Sequence, residues 1–291
     1  MKILAPVDGS PFSELATTFI ASRVPVMPQL PEVELIHVQA PLPRAASRAI
    51  TPHERASIHT DEAARVLDPA TRALASDGLE VRTRSEIGVP ALRIAERAEK
   101  IGADLIIMGS HGRTALKELV LGSVAQAVVA QAKTPVLILR GKPPRAGINL
   151  RVGVAVDGGK ASRAALAEIL AHDLLLGSLG ALTLILVQPP AQVFLDPLLG
   201  VAVPSASGPD PAVAEKILAP LRKMAARAGF EAKEVMLTGW PEDALSDYAK
   251  KHLDVIALGS TGRSRISRLF LGSVAARVAA RCNVPLLLVR G

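Results

Sequence analysis

A chain of 291 residues, 49% of them hydrophobic, is long enough for two domains with an apolar core each. Its one cysteine excludes an internal disulfide and a cysteine-held metal cluster, and aromatics at 2% leave the cores to Val, Leu, Ile and Ala. The net charge of +7 is spread over both halves with no dense basic stripe and few rings for stacking bases, so no DNA or RNA partner is expected.

Short apolar runs alternate with amphipathic stretches along the chain, and each run predicts a strand, each stretch a helix. In the first half the pattern predicts strands at 2–8, 33–39, 79–86, 104–109 and 135–140. Helices are expected at 11–24, 53–76, 89–101 and 118–132. In the second half the strands are 151–157, 181–188, 231–238, 254–259 and 285–290. The helices there are 160–176, 210–228, 241–252 and 268–282. Ser10-Pro11 has the chemistry of a helix start, a hydroxyl cap followed by proline at the first helical position. Pro69 and Pro220 fall inside helical patterns and predict a kink or break in each. Pro-rich stretches at 41–52 and 189–209 predict long loops over the carboxyl ends of the strands. Gly141 to Asn149 is a Pro/Gly linker. No apolar run reaches the roughly 18 residues of a membrane span, and Met1-Lys2 leads straight into a strand pattern rather than a secretory leader, so a cytoplasmic chain is expected.

The halves repeat one another. Lys2 to Asp8 matches Arg151 to Asp157, Val33 to Gln39 matches Leu182 to Gln188, and Gly88-Val89-Pro90 matches Gly239-Trp240-Pro241. The sharpest match is a glycine pattern. Gly109-Ser110-His111-Gly112 precedes Gly122-Ser123 at the spacing by which Gly259-Ser260-Thr261-Gly262 precedes Gly272-Ser273. A constant offset of about 150 residues at every landmark is the mark of a duplicated unit. The expected domains are 1–142 and 149–291. Strands apolar on both faces predict a parallel sheet covered on two sides, an α/β doubly wound sandwich in each half. The apolar last strands, from Pro135 and Pro285, would be open edges, so the halves are expected to face each other across them as an intramolecular pseudo-dimer.

A glycine-rich turn between a buried strand and a helix start suits phosphate, because the backbone can come close and the helix end offers unpaired N–H groups. The alternative is that the glycines make tight turns and Ser123 and Ser273 cap helices. Arg113 and Arg263 follow the second glycine of each copy and could pair with phosphate or lie in solvent. Asp8 and Asp157 end the first strand of each half, where a carboxylate can take hydrogen bonds from a ribose or simply close an Asp-Gly turn. No Walker-type loop is present, and His111 is replaced by Thr261 in the repeat, so a general acid–base role is not expected of it.

The Asp-ended first strand, the Gly-x-x-Gly, nine residues, Gly-Ser pattern and the Pro-led last strand together resemble the universal stress protein family, over nearly the full length of both halves. The resemblance is to its ATP-binding branch. It implies two five-stranded, Rossmann-like sheets of the adenine nucleotide alpha-hydrolase-like type. It also implies that Pro6 and Asp8 flank adenine and ribose, that Val38 offers its backbone to adenine, and that Met108 lines the pocket. Gly109, Gly112, Gly122 and Ser123 would hold the phosphates of ATP, ADP or AMP, and Mg2+ would be held only through those phosphates. The matching residues are Asp157, Val187, Gly259, Gly262, Gly272 and Ser273. Ala155 in place of Pro6 and Gly159-Lys160 in place of Ser10-Pro11 alter the adenine end of the second copy. With no catalytic residue in view, the expected function is regulatory, with a nucleotide biasing the binding of a protein partner. The alternatives are a slow ATPase or related enzyme and a nucleotide-free scaffold. A homodimer of tandem chains is a further possibility.

Overall fold

The computed structural model describes residues 1–112, 121–141, 147–172, 180–188, 193–195, 202–204, 211–260 and 271–291. In the first half β1 (Lys2–Pro6), β2 (Glu32–Gln39), β3 (Val81–Ile87), β4 (Leu105–Gly109) and β5 (Val136–Leu139) alternate with helices. These are α1 (Pro11–Arg23), α2 (Arg44–Ala49), α3 (Pro52–Ala75), α4 (Pro90–Ile101) and α5 (Ser123–Gln131). The second half contains β6 (Arg151–Val156), β7 (Ala181–Gln188), β8 (Val193–Leu195), β9 (Ala202–Pro204), β10 (Ala232–Thr238), β11 (Val255–Gly259) and β12 (Leu286–Val289). Its helices are α6 (Lys160–Ala171), α7 (Pro211–Arg227), α8 (Pro241–His252) and α9 (Ser273–Arg281).

The two expected five-stranded sheets are joined into one of ten strands, in the order β10-β7-β6-β11-β12-β5-β4-β1-β2-β3. Every neighbouring pair is parallel except β12 with β5, which meet antiparallel with Leu287 opposite Leu137. That pair is the seam between the halves, and it leaves neither apolar strand as an edge. The true edges are β3 and β10. On β3 four consecutive residues, Arg82, Thr83, Arg84 and Ser85, are exposed, and on β10 Lys233, Met236 and Thr238 are, so exposed and mostly polar side chains mark these edges.

Successive strand residues point to opposite faces, so each strand feeds two cores. Ile3, Ala5, Leu105, Ile107 and Leu137 pack under α1 and α3, and continue across the seam into Val152, Val154 and Leu184 under α6 and α7. Leu4, Ile106, Met108, Val136 and Ile138 pack under α4 and α5, and continue into Ile256, Leu258 and Leu286 under α8 and α9. Both cores span the whole chain, so the halves share their apolar interior.

Several local expectations are corrected. The 41–52 stretch is not all loop, since it holds α2, and 189–209 contains the antiparallel β8–β9 hairpin. Neither Pro69 nor Pro220 breaks its helix; α3 and α7 run through them. Each helix is long enough to tolerate one missing N–H, and α3 is further held by a capping box between Thr51 and Glu54. The strand expected over 2–8 ends at Pro6, so Val7 and Asp8 lie beyond it. Helix α5 begins at Ser123 rather than 118, and α9 at Ser273 rather than 268. Residues 118–120 and 268–270 of those expected helices, and 173–176 of the helix expected over 160–176, lie outside the described residues.

Candidate functional site

Within the first half the strand order β3-β2-β1-β4-β5 reverses direction between β1 and β4. The connections after those two strands therefore diverge to opposite faces and leave a crevice at their carboxyl ends, the place where open α/β sheets bind ligands. Asp8 follows β1 and Gly109 to Gly112 end β4, so the fold brings together the two motifs that lie about 100 residues apart in the chain.

The β1–α1 turn is built from Asp8, Gly9 and Ser10. Gly9 has φ 76°, which a side chain would resist. Asp8 Oδ1 accepts from Ser10 N (3.0 Å) and Ser10 Oγ (2.6 Å), while Ser10 Oγ accepts from Ser13 N (3.2 Å) and so caps α1. The other carboxylate oxygen lies against the β4–α5 loop. A Cβ on Gly112 would stand 2.7 Å from Asp8 Oδ2, so glycine at 112 is required by the carboxylate beside it. Gly109 is constrained differently: its Cβ would be 2.2 Å from Phe12 O, where the start of α1 crosses the end of β4.

Gly122 is the N-cap of α5, and its N–H donates to Ser110 O (2.8 Å) while its carbonyl accepts from Gln126 N (3.0 Å). Glycine rather than serine occupies the N-cap and Ser123 is the first helical residue, so the alternative reading of Ser123 as a helix cap does not describe α5. The N–H groups of Ser123, Val124 and Ala125 have no intrahelical acceptor, by helix geometry. His111 sits on this loop, with Nδ1 2.9 Å from Ser110 Oγ and its ring 5.1 Å from that of Phe12. Its Nε2 is buried and has no partner among the described residues.

Pro6 is buried as the last residue of β1, and Met108 is buried in the core under α4 and α5. Val38 is half-buried near the end of β2. Val7 N–H donates to Ile36 O and Gly88 N–H to Gln39 O, both 2.9 Å. Peptides alternate sides along a strand, so the Val38 peptide faces the β1 side, past Pro6, the last β1 residue paired with β2. His37, fully buried, donates from Nδ1 to Val7 O (2.8 Å) and pins this end of β1.

The second half repeats the frame with different side chains. Gly272 caps α9, with its N–H on Ser260 O (2.7 Å) and its carbonyl on Ala276 N (2.8 Å). Ser260 Oγ is buried and has no partner among the described residues. A Cβ on Gly259 would be 2.5 Å from Ala161 Cβ, the counterpart of the Gly109–Phe12 contact. Asp157 Oδ1 accepts from Gly159 N and Ser162 Oγ, each at 2.8 Å. Ser162 thus supplies from the first turn of α6 the hydroxyl that Ser10 supplies in the first half, a substitute that motif matching misses because it lies three residues further on. Val187 is half-buried at the same place on β7 as Val38 on β2. Arg113, Gly262 and Arg263 lie outside the described residues.

The donor set of both crevices is chemically suited to an anion: unpaired amides at a helix start beside backbone brought close at glycines. A buried polar atom without an acceptor or donor stands beside each, His111 Nε2 in one and Ser260 Oγ in the other. Among the described residues no three His, Cys, Asp or Glu side chains converge to hold a metal ion. No helix among them is long and apolar enough to cross a membrane.

A duplicated, doubly wound α/β unit with a glycine-framed crevice at its switch point defines the class of protein. The sequence profile of the universal stress protein family matches residues 1–140 and again 149–290, and the chain belongs to that family. Universal stress protein MJ0577 of Methanocaldococcus jannaschii is 40% identical over 83 residues, 28% of this chain and 51% of its own. The matches to the first two curated relatives thus span about half of their lengths or less, 51% and 39%. Universal stress protein Slr1230 of Synechocystis is 27% identical over 241 residues, which takes in 82% of this chain and 75% of its own. A universal stress protein crystal structure from Archaeoglobus fulgidus has the same fold across 99% of this chain and 98% of its own, with a TM-score of 0.75 at 21% identity.

Proposed function

We propose that each half binds an adenine nucleotide, ATP in the first instance, and that the chain acts as a regulatory stress-response protein whose nucleotide state governs its binding to a protein partner. The observation that carries this reading is the repeated cradle, in which Gly122 and Gly272 are fixed by Ser110 and Ser260 and the next amides, at a helix start, have no intrahelical acceptor. Ser123, Val124 and Ala125 would donate to phosphate oxygens, and the Val38 peptide would meet the adenine edge. Asp8 would hold the ribose from the oxygen beside Gly112. Mg2+ would arrive with the phosphates, supplying charge neutralisation. His111 Nδ1 stands 2.9 Å from Ser110 Oγ beside the first cradle, but threonine replaces this histidine in the repeat at Thr261, and holding the nucleotide rather than turning it over is the activity proposed.

The test is direct. Chromatographic analysis of nucleotide released from the purified protein gives identity and stoichiometry, and thermal unfolding with millimolar ATP and Mg2+ gives the linkage. A ligand that binds only the folded state at 100 times its Kd stabilises it by about 2.7 kcal/mol, a clearly visible shift. Protein that carries no nucleotide and does not shift refutes this reading. The nucleotide-free scaffold is then favoured by the contacts of Gly109 with Phe12 and of Gly112 with Asp8, which explain those glycines without a ligand.

A further inference from the structure

The two crevices are joined through a pair of crossed arginines at the seam. Ser110, whose carbonyl fixes Gly122, donates its own N–H to Leu139 O (3.1 Å) at the end of β5. The next residue, Arg140, crosses the seam, and its Nη1 donates to Cys282 O (3.4 Å), the residue that caps the C-terminus of α9. The second half mirrors this. Ser260 N donates to Val289 O (2.7 Å), and Arg290 Nη2 donates to Ala130 O (2.6 Å) in the last turn of α5. Arg140 is buried, and its Nε and Nη2 have no partner among the described residues, so the α9 carbonyl is what holds this desolvated cation in place. A cation at a helix C-terminus is stabilising, since it meets the unpaired carbonyls and the negative end of the dipole.

Helix α5 carries the first cradle at its N-terminus and receives Arg290 at its other end, about 13 Å away at 1.5 Å per residue. Helix α9 carries the second cradle and receives Arg140. The hydrogen-bonded path therefore closes on itself: first cradle, Ser110, β5, Arg140, α9, second cradle, Ser260, β12, Arg290, α5. We propose that Arg140 and Arg290 are positioning residues, each setting the phosphate cradle of the opposite half, so that the two sites are energetically coupled across the seam. This rests on the reading that both cradles hold nucleotide. A rigid helix transmits displacement of one end to the other, and any coupling between two binding sites is reciprocal.

The prediction is a crossed effect. Titration calorimetry with ATP and Mg2+ on the full chain measures the first site in a Gly272→Val background and the second in a Gly122→Val background. Arg290→Gln is expected to weaken the first site about five-fold, the lower end of usual inter-site couplings, and to leave the second unchanged; Arg140→Gln does the reverse. Arg290→Lys recovers most of the first-site affinity, because the charge at the helix end remains. Amide exchange without nucleotide provides a second readout, with faster exchange expected in the last turn of α5 for Arg290→Gln and in that of α9 for Arg140→Gln. Arg290→Lys serves both measurements if the glutamine variant does not fold. Equal weakening of both sites, or affinities that stay parental whether or not exchange changes, overturns the inference alone. A parental protein that binds no ATP at either site overturns the nucleotide reading and this coupling with it.

Discussion

Gly109→Ala places a methyl group where the structure has no room for one. The new Cβ would lie 2.2 Å from Phe12 O, 2.6 Å from Phe12 C and 2.9 Å from Phe12 Cβ. Two of the three are backbone atoms at the start of α1, so no side-chain rotation relieves the clash, and α1 or the end of β4 must give by about 1 Å. Overpacking of a well-filled core costs about 1–3 kcal/mol, and a contact with backbone belongs at the upper end, about 3 kcal/mol. Alanine recovers up to about 1 kcal/mol by restricting the unfolded chain, which leaves a net loss of about 2 kcal/mol. At roughly 2–4 °C per kcal/mol for domains of 150–250 residues, the midpoint should fall by about 4–8 °C. Scanning calorimetry without nucleotide is the assay, with Gly78→Ala as reference. Gly78 has φ 81° with nothing within 4 Å, so alanine there meets only the left-handed backbone cost of about 1–2 kcal/mol. A Gly109→Ala midpoint within 1 °C of the parental value, by order of the expected shift, would refute the packing account and leave Gly109 conserving space for a ligand only.

Arg97 grips Glu34 through two bonds, 2.6 and 2.8 Å, with the glutamate side chain only 9% exposed. Arg97→Met strands that carboxylate and should cost about 2–3 kcal/mol in urea unfolding, somewhat less than for a fully buried pair, while Arg97→Met with Glu34→Leu should recover most of it; a double variant no better than the single one contradicts this. His172 is 3.2 Å from Glu168, and that bond, with help from Asp104 and against burial and the N-terminal amino group, raises its pKa above the ordinary value. Its stabilising contribution is therefore complete below about pH 6.5 and fades as pH rises through the higher folded-state value. His172→Gln should flatten this part of the midpoint-against-pH curve above about pH 6.5, and an unchanged slope would dismiss the pairing as its source. Burial pushes the Cys282 thiol up, against a weaker pull from a backbone bond and Arg140, and the residue is 1% exposed. Iodoacetamide should label it only after unfolding, and rapid labelling of the native protein would mean that the α9 end opens.

The architecture was legible in the sequence because its signals are local and repeated. Apolar runs such as Leu105 to Met108, bounded by turn residues, fit strands covered on both sides, Ser10-Pro11 has the chemistry of a helix start, and the 150-residue echo declares the duplication. The start of α5 was not legible. Leu119, Val120 and Leu121 continue the helical period, but the N-cap is Gly122, set by its bond to Ser110 O, which lies well back along the chain. The expectation of a break at Pro69 failed for the opposite reason, since a local penalty there is outweighed by a helix anchored at Ala63, Leu67 and Leu74 in the core.

The sequence by itself determined the fold, the duplication and the motifs that belong to each crevice, because hydrophobic period and glycine spacing are properties of short stretches of chain. Only the tertiary structure decided what the individual residues do there. It separated Gly109, which makes room for the start of α1, from Gly112, which makes room for Asp8. It found Ser162 doing for Asp157 what Ser10 does for Asp8, and it brought Arg140 and Arg290 to the opposite helix ends. Those are contacts between residues from 5 to 160 positions apart. The long-range ones exist only because the β5–β12 seam and the β1–β4 crevice fold distant segments against each other, and no local pattern encodes them.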